Sequence, residues 1–579
     1  MDHNLSPIFN KIKEVFPRDC RRILLINPPV IPEEEFDWEV ARQKRYPVFP
    51  PYGLGIIYRK LKENGYLADI VDLNYGVLNQ KEFRYSVWKD QLKQKILQFK
   101  PDLCAITCLY SMSHQSMKDV ADFIKEYNRK LPVIAGGVHP SAAPECVLND
   151  CESIDFVSLY EGDSSFITLI DFINGKTLKN KFSQIATKYK NTYIIIDNRK
   201  MEDDIASAPE FGDLPIGNYH HLGKIGAYHY LLSDEVKAST VLSNRGCRGN
   251  CTFCSVKAFY GGNGVRQRDI TTVVDEMESL YKKYNIRHFM WLDDDLLFNE
   301  KRAINLFKEI TRRQLNITWD ASNGVVASGI TPEIALGAYE SGCIGLTIGI
   351  ESGNPEILHS IRKPSGIKHF KRAAEILQEY PDIFTKGFLM AGFLNETLGQ
   401  ILDTIHLARE LSLDWYPIQI LTPFPATGVR KVLEEEGIVE ANDITSRFFV
   451  GSTGGQRLRE KQEKTEAKEF YNPFEGSLNK IPTREELKDI WFIMDYKVNY
   501  EKILLEGRPV KLRMLQKMLK DVCNRVHENP LANLYLGIVE KKLGNYNESQ
   551  RLKHFAETYL EGSTFWRKRF EALDLYRLV

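Results

Sequence analysis

Three cysteines, Cys247, Cys251 and Cys254, stand in the pattern Cys-x3-Cys-x2-Cys. The chain has ten cysteines in 579 residues, and chance placement would give about 0.003 such triads. The three thiols therefore share a task, and grouped thiols in a long chain point to metal. Structural zinc takes four tetrahedral ligands, usually from two paired knuckles. No second pair follows the triad, since Cys343 stands alone. Iron–sulfur clusters are also held by thiolates, and three protein ligands to a four-iron cluster leave one iron open. Gly246 and Gly249 let the loop close tightly around such an object. Two further groups follow apolar runs: Asp293-Asp294-Asp295 after Trp291-Leu292, and Glu351 in Gly349-Ile350-Glu351-Ser352-Gly353.

Elements with a strand–helix rhythm must carry these residues. Short apolar runs at Thr240–Ser243, Phe289–Leu292, Ile317–Ala321, Gly345–Ile350, Lys386–Met390 and Ile418–Leu421 alternate with helical stretches such as Thr271–Tyr284 and Ala303–Gln314. Six β/α units predict a partial barrel, with chemistry at the strand C-termini. The cysteine loop follows the first of these strands. An earlier series predicts a five-stranded parallel, doubly wound sheet: Ile23–Ile26, Ala68–Leu73, Leu103–Cys108, Val133–Ala135 and Phe156–Leu159, separated by helices such as Leu54–Asn64, with Gly65 as its cap. Ligands on such sheets sit at the carboxyl ends of the strands. Asn27-Pro28-Pro29, Leu109–Ser113, Gly136-Gly137-Val138-His139-Pro140 and Glu161-Gly162-Asp163 lie there. Residues 1–20 read as an irregular lead-in and Tyr193–Ile196 as part of a small hairpin. The division expected is 1–165, a linker 166–235, a core 236–430 and a mainly helical region 431–579. Within the last, 451–468 reads as a loop and Leu531–Tyr559 as a helical hairpin packed on the barrel.

Lys plus Arg and Asp plus Glu are 77 each, so the net charge is zero and a broad electrostatic grip on nucleic acid is not expected. No apolar run reaches 18 residues and the first residues lack a secretory pattern, so a cytoplasmic enzyme or binding protein is the default expectation; a monomer is also expected.

The triad, with Phe253 before its last cysteine, resembles the radical S-adenosylmethionine (SAM) superfamily. That resemblance covers roughly 236–430. It implies a 4Fe-4S cluster on the three cysteines, with SAM on the open iron and Phe253 near the adenine. Asp293 and Asp294 correspond to the family's SAM amino-group motif; a helix cap or solvated turn is the other reading. Glu351 and Ser352 match its Gly-x-Glu-Ser-Gly segment, with a structural barrel carboxylate as the alternative. Gly392-Phe393-Leu394-Asn395-Glu396-Thr397 and Pro423-Phe424-Pro425-Ala426-Thr427 resemble loop-shaping family segments.

Residues 20–165 resemble the cobalamin-binding domain of class B radical SAM enzymes, through Pro50-Pro51-Tyr52-Gly53-Leu54, Gly136-Gly137-Val138-His139-Pro140 and Glu161-Gly162-Asp163. Tyr160 and Asp163 replace the first Gly and last Glu of the usual Gly-Glu-Gly-Glu. The resemblance implies corrin contacts from Pro28, Leu109, Tyr110, Ser111, Met112, Gly136, Gly137, His139, Glu161 and Gly162. The Asp-x-His-x-x-Gly signature of a cobalt-ligating histidine is absent, so Leu109–Ser113 is expected at the lower cobalt face. A fold that has lost cobalamin is the alternative.

The implied activity is methylation of an unactivated carbon through a 5′-deoxyadenosyl radical and methylcobalamin. The other readings are a radical SAM cyclase or carbon–carbon coupling enzyme of the same architecture, acting on a porphyrin or lipid, and a non-catalytic metal or cobalamin sensor. The implied partners are a small-molecule or lipid-like substrate and an electron donor such as flavodoxin or ferredoxin. The C-terminal region is expected to help shape the substrate pocket. Its aromatics Phe448-Phe449, Phe470-Tyr471 and Trp491-Phe492 fit either an apolar substrate or core packing.

Overall fold

The computed structural model describes residues 6–17, 19–82, 84–177, 183–199, 201–202, 205–261, 264–440 and 470–579. Seven strands form the first sheet: β1 (Arg22–Asn27), β2 (Leu67–Asp72), β3 (Leu103–Thr107), β4 (Val133–Gly136), β5 (Phe156–Ser158), β6 (Ile185–Tyr189) and β7 (Thr192–Ile196). Their order is β2-β1-β3-β4-β5-β6-β7. The first five are parallel, because each buried apolar run is followed by a crossover helix. The last two extend the expected five-stranded sheet as an antiparallel hairpin. The helix Gly162–Ile173 runs through the expected boundary at 165, and the hairpin comes from the expected linker. The lead-in also differs from expectation. Ser6–Val15 is a helix, since Ile8, Phe9 and Ile12 recur at helical spacing and are buried against the sheet.

The order β2-β1-β3 makes β1/β3 the switch point, where crossovers leave in opposite directions and open a crevice at the carboxyl ends. The loops after β1 and β3 flank it. They are tied together by Ser113 Oγ, which donates to the Val30 carbonyl at 2.7 Å. Val30 and Met112 pack against a core shared with the second domain.

That domain is a six-stranded parallel sheet in chain order: β8 (Ala238–Val241), β11 (His288–Trp291), β12 (Thr318–Val325), β13 (Cys343–Glu351), β14 (Phe384–Ala391) and β15 (Ile418–Ile420). The expected partial barrel is this sheet. Its amino end is plugged by the segment around 226–228. Tyr228 Oη and Thr347 Oγ1 are 2.8 Å apart, and Lys386 Nζ donates to the Ala227 carbonyl at 2.5 Å. The carboxyl end is left as the mouth. The helices Pro509–Arg525, Pro530–Lys542 and Tyr546–Glu561 share a core with Tyr228 and Phe384, so the expected hairpin lies on the plugged side. The segment near Leu478–Leu487 instead meets the loop after β14. Gly399 N–H donates to the Leu478 carbonyl at 2.8 Å, and a side chain at Gly392 would meet Leu487. Phe470, Phe492 and Trp566 pack edge to face in the helical core. Tyr471 is half exposed. Phe448, Phe449 and the expected loop 451–468 lie outside the described residues.

Two polar contacts lock the domains together. Tyr52 Oη donates to Glu276 at 3.0 Å and accepts from Arg268 Nη1 at 3.0 Å. The second contact grips the cysteine loop. Its base is an antiparallel ribbon of β9 (Asn244–Arg245) and β10 (Arg266–Gln267). Glu161, from the first domain, accepts from Arg245 at 2.8 Å with one oxygen and from Arg266 at 2.7 Å with the other. Asp163 receives both terminal nitrogens of Arg245, at 2.8 and 3.0 Å. Removing one partner of a buried ion pair leaves the other uncompensated, at about 3 kcal/mol or more. Glu161→Ala should therefore lower the thermal midpoint and expose the 246–265 loop to limited proteolysis. An unchanged midpoint together with unchanged cleavage would refute the clamp.

Candidate functional site

The cysteine loop leaves β9 through Gly246, whose φ of 94° carries no cost for glycine. A Cβ there would lie 2.8 Å from the Gly264 carbonyl oxygen, so the two ends of the loop approach as only glycine allows. Gly249 N–H donates to Cys247 Sγ at 3.3 Å. A Cβ on Gly249 would lie 3.4 Å from Cys247 Sγ and 3.6 Å from Cys251 Sγ, so bare backbone separates two of the thiols. Burial pushes each of the three thiols up to about 11, with neighbouring carboxylates or thiols adding to the rise. The free chain thus keeps them protonated, and their thiolate forms need the positive charge of a metal centre.

Among the described residues, one trio of His, Cys, Asp or Glu ligand atoms lies wholly within 4.8 Å, and it is not this triad. A single tetrahedral zinc with Zn–S bonds of about 2.3 Å holds its sulfurs about 3.8 Å apart. The wider triad suits the larger body of a multi-iron cluster.

The loop is anchored on three sides. Asp295 accepts from Arg248 N–H, Nε and Nη2 at 3.1, 2.6 and 2.9 Å. Thr252 N–H donates to the Ile361 carbonyl, and Val429 N–H donates to that of Thr252. Phe253 packs on Phe393, in the loop after β14, with ring centroids 5.9 Å apart.

The three consecutive aspartates divide their work. Asp293 is buried and accepts from Ser243 N–H at 2.8 Å and Oγ at 2.5 Å, which ties β11 to β8. Asp295 holds Arg248. Asp294 is the carboxylate left facing the triad. Burial, with Asp293 and then Asp295 adding repulsion, raises it to about 7, while the Gly246 backbone lowers it. Its charge in turn raises Cys247 and Cys254.

Glu351 ends β13 with φ of 70°, unusual for a non-glycine residue, at a bulge in the β13–β14 ladder. Its Oε1 accepts from Lys363 Nζ at 2.7 Å, and both side chains are buried. A Cβ at Gly349 would stand 2.8 Å from that Nζ, so this glycine clears the path of the lysine. Lys363 also lowers Cys251 and Cys254. It was not among the expected site residues. No motif marks it, and only the fold of the 352–363 segment brings it back beside Glu351. Ser352 points away from the mouth: it is fully buried, 3.3 Å from Thr404 Oγ1, and accepts from Asn354 N–H. Glu396 and Thr427 shape loops, Glu396 by accepting from Gly392 and Phe393 N–H and Thr427 by capping the helix Gly428–Glu435.

On the first domain, Leu109 and Tyr110 are 47% and 38% exposed at the switch-point crevice. Pro28, after β1, is buried; Ser111 and Met112 are half-buried. Gly137 has φ of 106°, and a Cβ would lie 2.7 Å from the Cys108 carbonyl oxygen, so close packing of β3 on β4 already requires it. Gly136 lies next to Ser158. The helix Val138–Ala142 contacts the helix Val256–Tyr260 just past the last cysteine, which sets this corner of the first domain beside the cysteine loop. His139 offers no free nitrogen, with Nε2 2.9 Å from His114 Nδ1 and Nδ1 3.0 Å from Ser111 Oγ. The carboxylate of Glu161 is taken up by the two arginines, and Gly162 packs under Ile57. The contacts described for these three residues are all within the protein. None of the described helices is long and apolar enough to cross a membrane.

Comparison with known proteins matches both domains. Residues 39–170 match the B12 binding domain and residues 241–408 the radical SAM superfamily. The chain is 29% identical over 381 residues to an uncharacterised methyltransferase of Pyrococcus horikoshii, covering 65% of this chain and 77% of that one. It is 24% identical over 410 residues to the anaerobic magnesium-protoporphyrin IX monomethyl ester cyclase of Rubrivivax gelatinosus, covering 69% of each. In fold it is similar to the radical SAM methyltransferase TsrM of Kitasatospora setae, solved with cobalamin and a 4Fe-4S cluster: TM-score 0.60, 16% identity, and 94% and 99% of the two chains covered. The radical SAM domain implies a 4Fe-4S cluster and SAM, and the B12-binding domain implies cobalamin. The chain is a radical SAM enzyme with an N-terminal B12-binding domain, similar to the cobalamin-dependent radical SAM methyltransferases.

Proposed function

We propose that this enzyme methylates an unactivated carbon of a small-molecule or lipid-like substrate at the barrel mouth. The observation that carries this reading is the junction of the cysteine loop with the corner of the B12-binding domain formed by Gly136–Ala142. When bound, the cluster, SAM and cobalamin supply the radical chemistry and the methyl group.

The chain supplies the frame. Cys247, Cys251 and Cys254 are the cluster ligands in this reading. Phe253, Asp294 and Glu351 line the SAM side. The Asp294 and Glu351 carboxylates are hydrogen-bond acceptors for the SAM ammonium and ribose. Lys363 orients Glu351 and offsets thiolate charge. Asp293 and Ser352 hold the strand ends beneath them. Pro28, Leu109–Met112 and Gly136-Gly137 face the corrin across the crevice, and His139 stays bonded within the protein. The units are the first domain through β7, the barrel 236–430 and the C-terminal helices, with the Glu161 clamp joining the first two. Closing the barrel mouth with the first domain would keep water from reactive carbon.

Similarity to the anaerobic cyclase supports a second reading, ring closure without methylation. Product mass separates the two. Methylation adds one CH2 to a metabolite that differs between deletion and wild-type cells; cyclisation removes hydrogens or adds oxygen. A product with no added carbon would overturn the methyltransferase reading. An anaerobic preparation should carry a corrinoid whose reduced cobalt shows no nitrogen superhyperfine splitting. Splitting that vanishes in His139→Ala would overturn the assignment of His139.

Each of Cys247→Ala, Cys251→Ala and Cys254→Ala should lose the iron and the thiolate-to-iron absorbance of the purified protein while keeping the far-ultraviolet circular dichroism. Full iron in any of them would remove that cysteine from the ligand set. Glu351→Gln should keep iron and weaken SAM binding by roughly ten- to hundredfold, the loss of a charge-assisted hydrogen bond of about 1.5–3 kcal/mol. Lys363→Met should act in the same direction. Calorimetry showing unchanged SAM affinity beside a lowered melting temperature would make Glu351 a structural carboxylate.

A further inference from the structure

On the first domain, His114 opens the helix His114–Tyr127, while Asp150 and Cys151 end the helix Pro144–Asp150. Their ligand atoms all lie within 4.8 Å of one another. His114 Nε2 is 2.8 Å from Asp150 Oδ2 and 3.8 Å from Cys151 Sγ. A tetrahedral zinc with bonds of about 2.0–2.3 Å sets mixed N, O and S ligands roughly 3.2–3.8 Å apart. The two separations bracket that range, so small side-chain rotations reach it.

The surroundings also suit a metal. A ligating histidine is normally held through its second nitrogen. Here Nδ1 of His114 is 2.9 Å from His139 Nε2, and His139 Nδ1 is 3.0 Å from Ser111 Oγ. Lys118 Nζ donates to the Asp150 main-chain oxygen at 2.8 Å and to Oδ1 at 3.4 Å, which leaves Oδ2 turned towards His114. His114 and Cys151 are buried and Asp150 is exposed, so a fourth position opens on the solvent side.

We propose that His114 Nε2, Asp150 Oδ2 and Cys151 Sγ form a mononuclear site for a borderline divalent cation of the zinc type, on the B12-binding domain and separate from the cysteine triad. The sulfur and imidazole donors disfavour magnesium and calcium, which take oxygen. One thiolate and one carboxylate balance the two positive charges. On binding, the Sγ–H bond is replaced by a sulfur–metal bond and one proton leaves to solvent, with no change of oxidation state. Nε2 of His114 gives its lone pair to the metal. The ring proton therefore sits on Nδ1 and donates to His139 Nε2, and His139 Nδ1–H donates to Ser111 Oγ. The bound ion thereby sets the hydrogen-bonding polarity of a hydroxyl in the loop after β3.

The test uses the cluster-loaded holoenzyme, equilibrated with zinc and passed over a chelating resin. Wild type should retain about one zinc per chain beyond its iron. X-ray absorption at the zinc edge should show one sulfur at about 2.3 Å and nitrogen or oxygen neighbours at about 2.0 Å. His114→Ala and Cys151→Ala should each lower the retained zinc by roughly tenfold or more with iron and circular dichroism unchanged. No zinc in wild type overturns the site. So does equal zinc in the variants, the result of an adventitious ion only, or an edge with three sulfurs, which would place the zinc on the cysteine loop. The wild-type edge spectrum decides the matter even where a variant fails to fold.

Discussion

A single buried carboxylate, Glu161, spans both strands at the base of the cysteine loop. One oxygen meets Arg245, immediately before Gly246 and Cys247; the other meets Arg266, where the loop returns. Buried ion pairs contribute little net stability compared with apolar packing, because desolvating the charges offsets their attraction. Their value here is geometric. The two guanidinium groups cannot both be satisfied unless the first domain sits on the barrel in one orientation. The crevice at the β1/β3 switch point and the thiols of the loop therefore hold fixed positions relative to each other.

Burial assigns different tasks to chemically identical groups. Asp293, Asp294 and Asp295 are consecutive, yet one braces a strand end, one faces the thiols and one grips an arginine. Ser243 and Arg248 satisfy the outer two. The middle one meets only the Gly246 backbone, and desolvation raises its carboxyl to about 7. A ligand cation arriving beside it would favour its charged form. Lys363 plays the complementary part across the mouth, with its ammonium placed between Glu351 and the Cys251 thiol.

The plugged floor gives the barrel its polarity. Tyr228, Ala227 and Lys386 close the amino end, and the C-terminal helices pack on that side. The carboxyl end is left open, on the side where the first domain sits.

The cysteine spacing, the apolar strand runs and the order of the elements were legible in the sequence, because they are local: a 2.0 or 3.6 residue period, a glycine at a turn, thiols a few residues apart. The two-domain architecture followed from them. The helix Ser6–Val15, read as an irregular lead-in, is equally local, in the spacing of Ile8, Phe9 and Ile12. What only the tertiary structure decided involves partners far apart in the chain. Glu161 and Arg245 are separated by 84 residues, and no pattern around either names the other. Glu161-Gly162-Asp163 reads as a ligand motif from its position after a strand. Two arginines from another domain claim its carboxylates, because a buried charge takes the nearest opposite charge that folding brings to it.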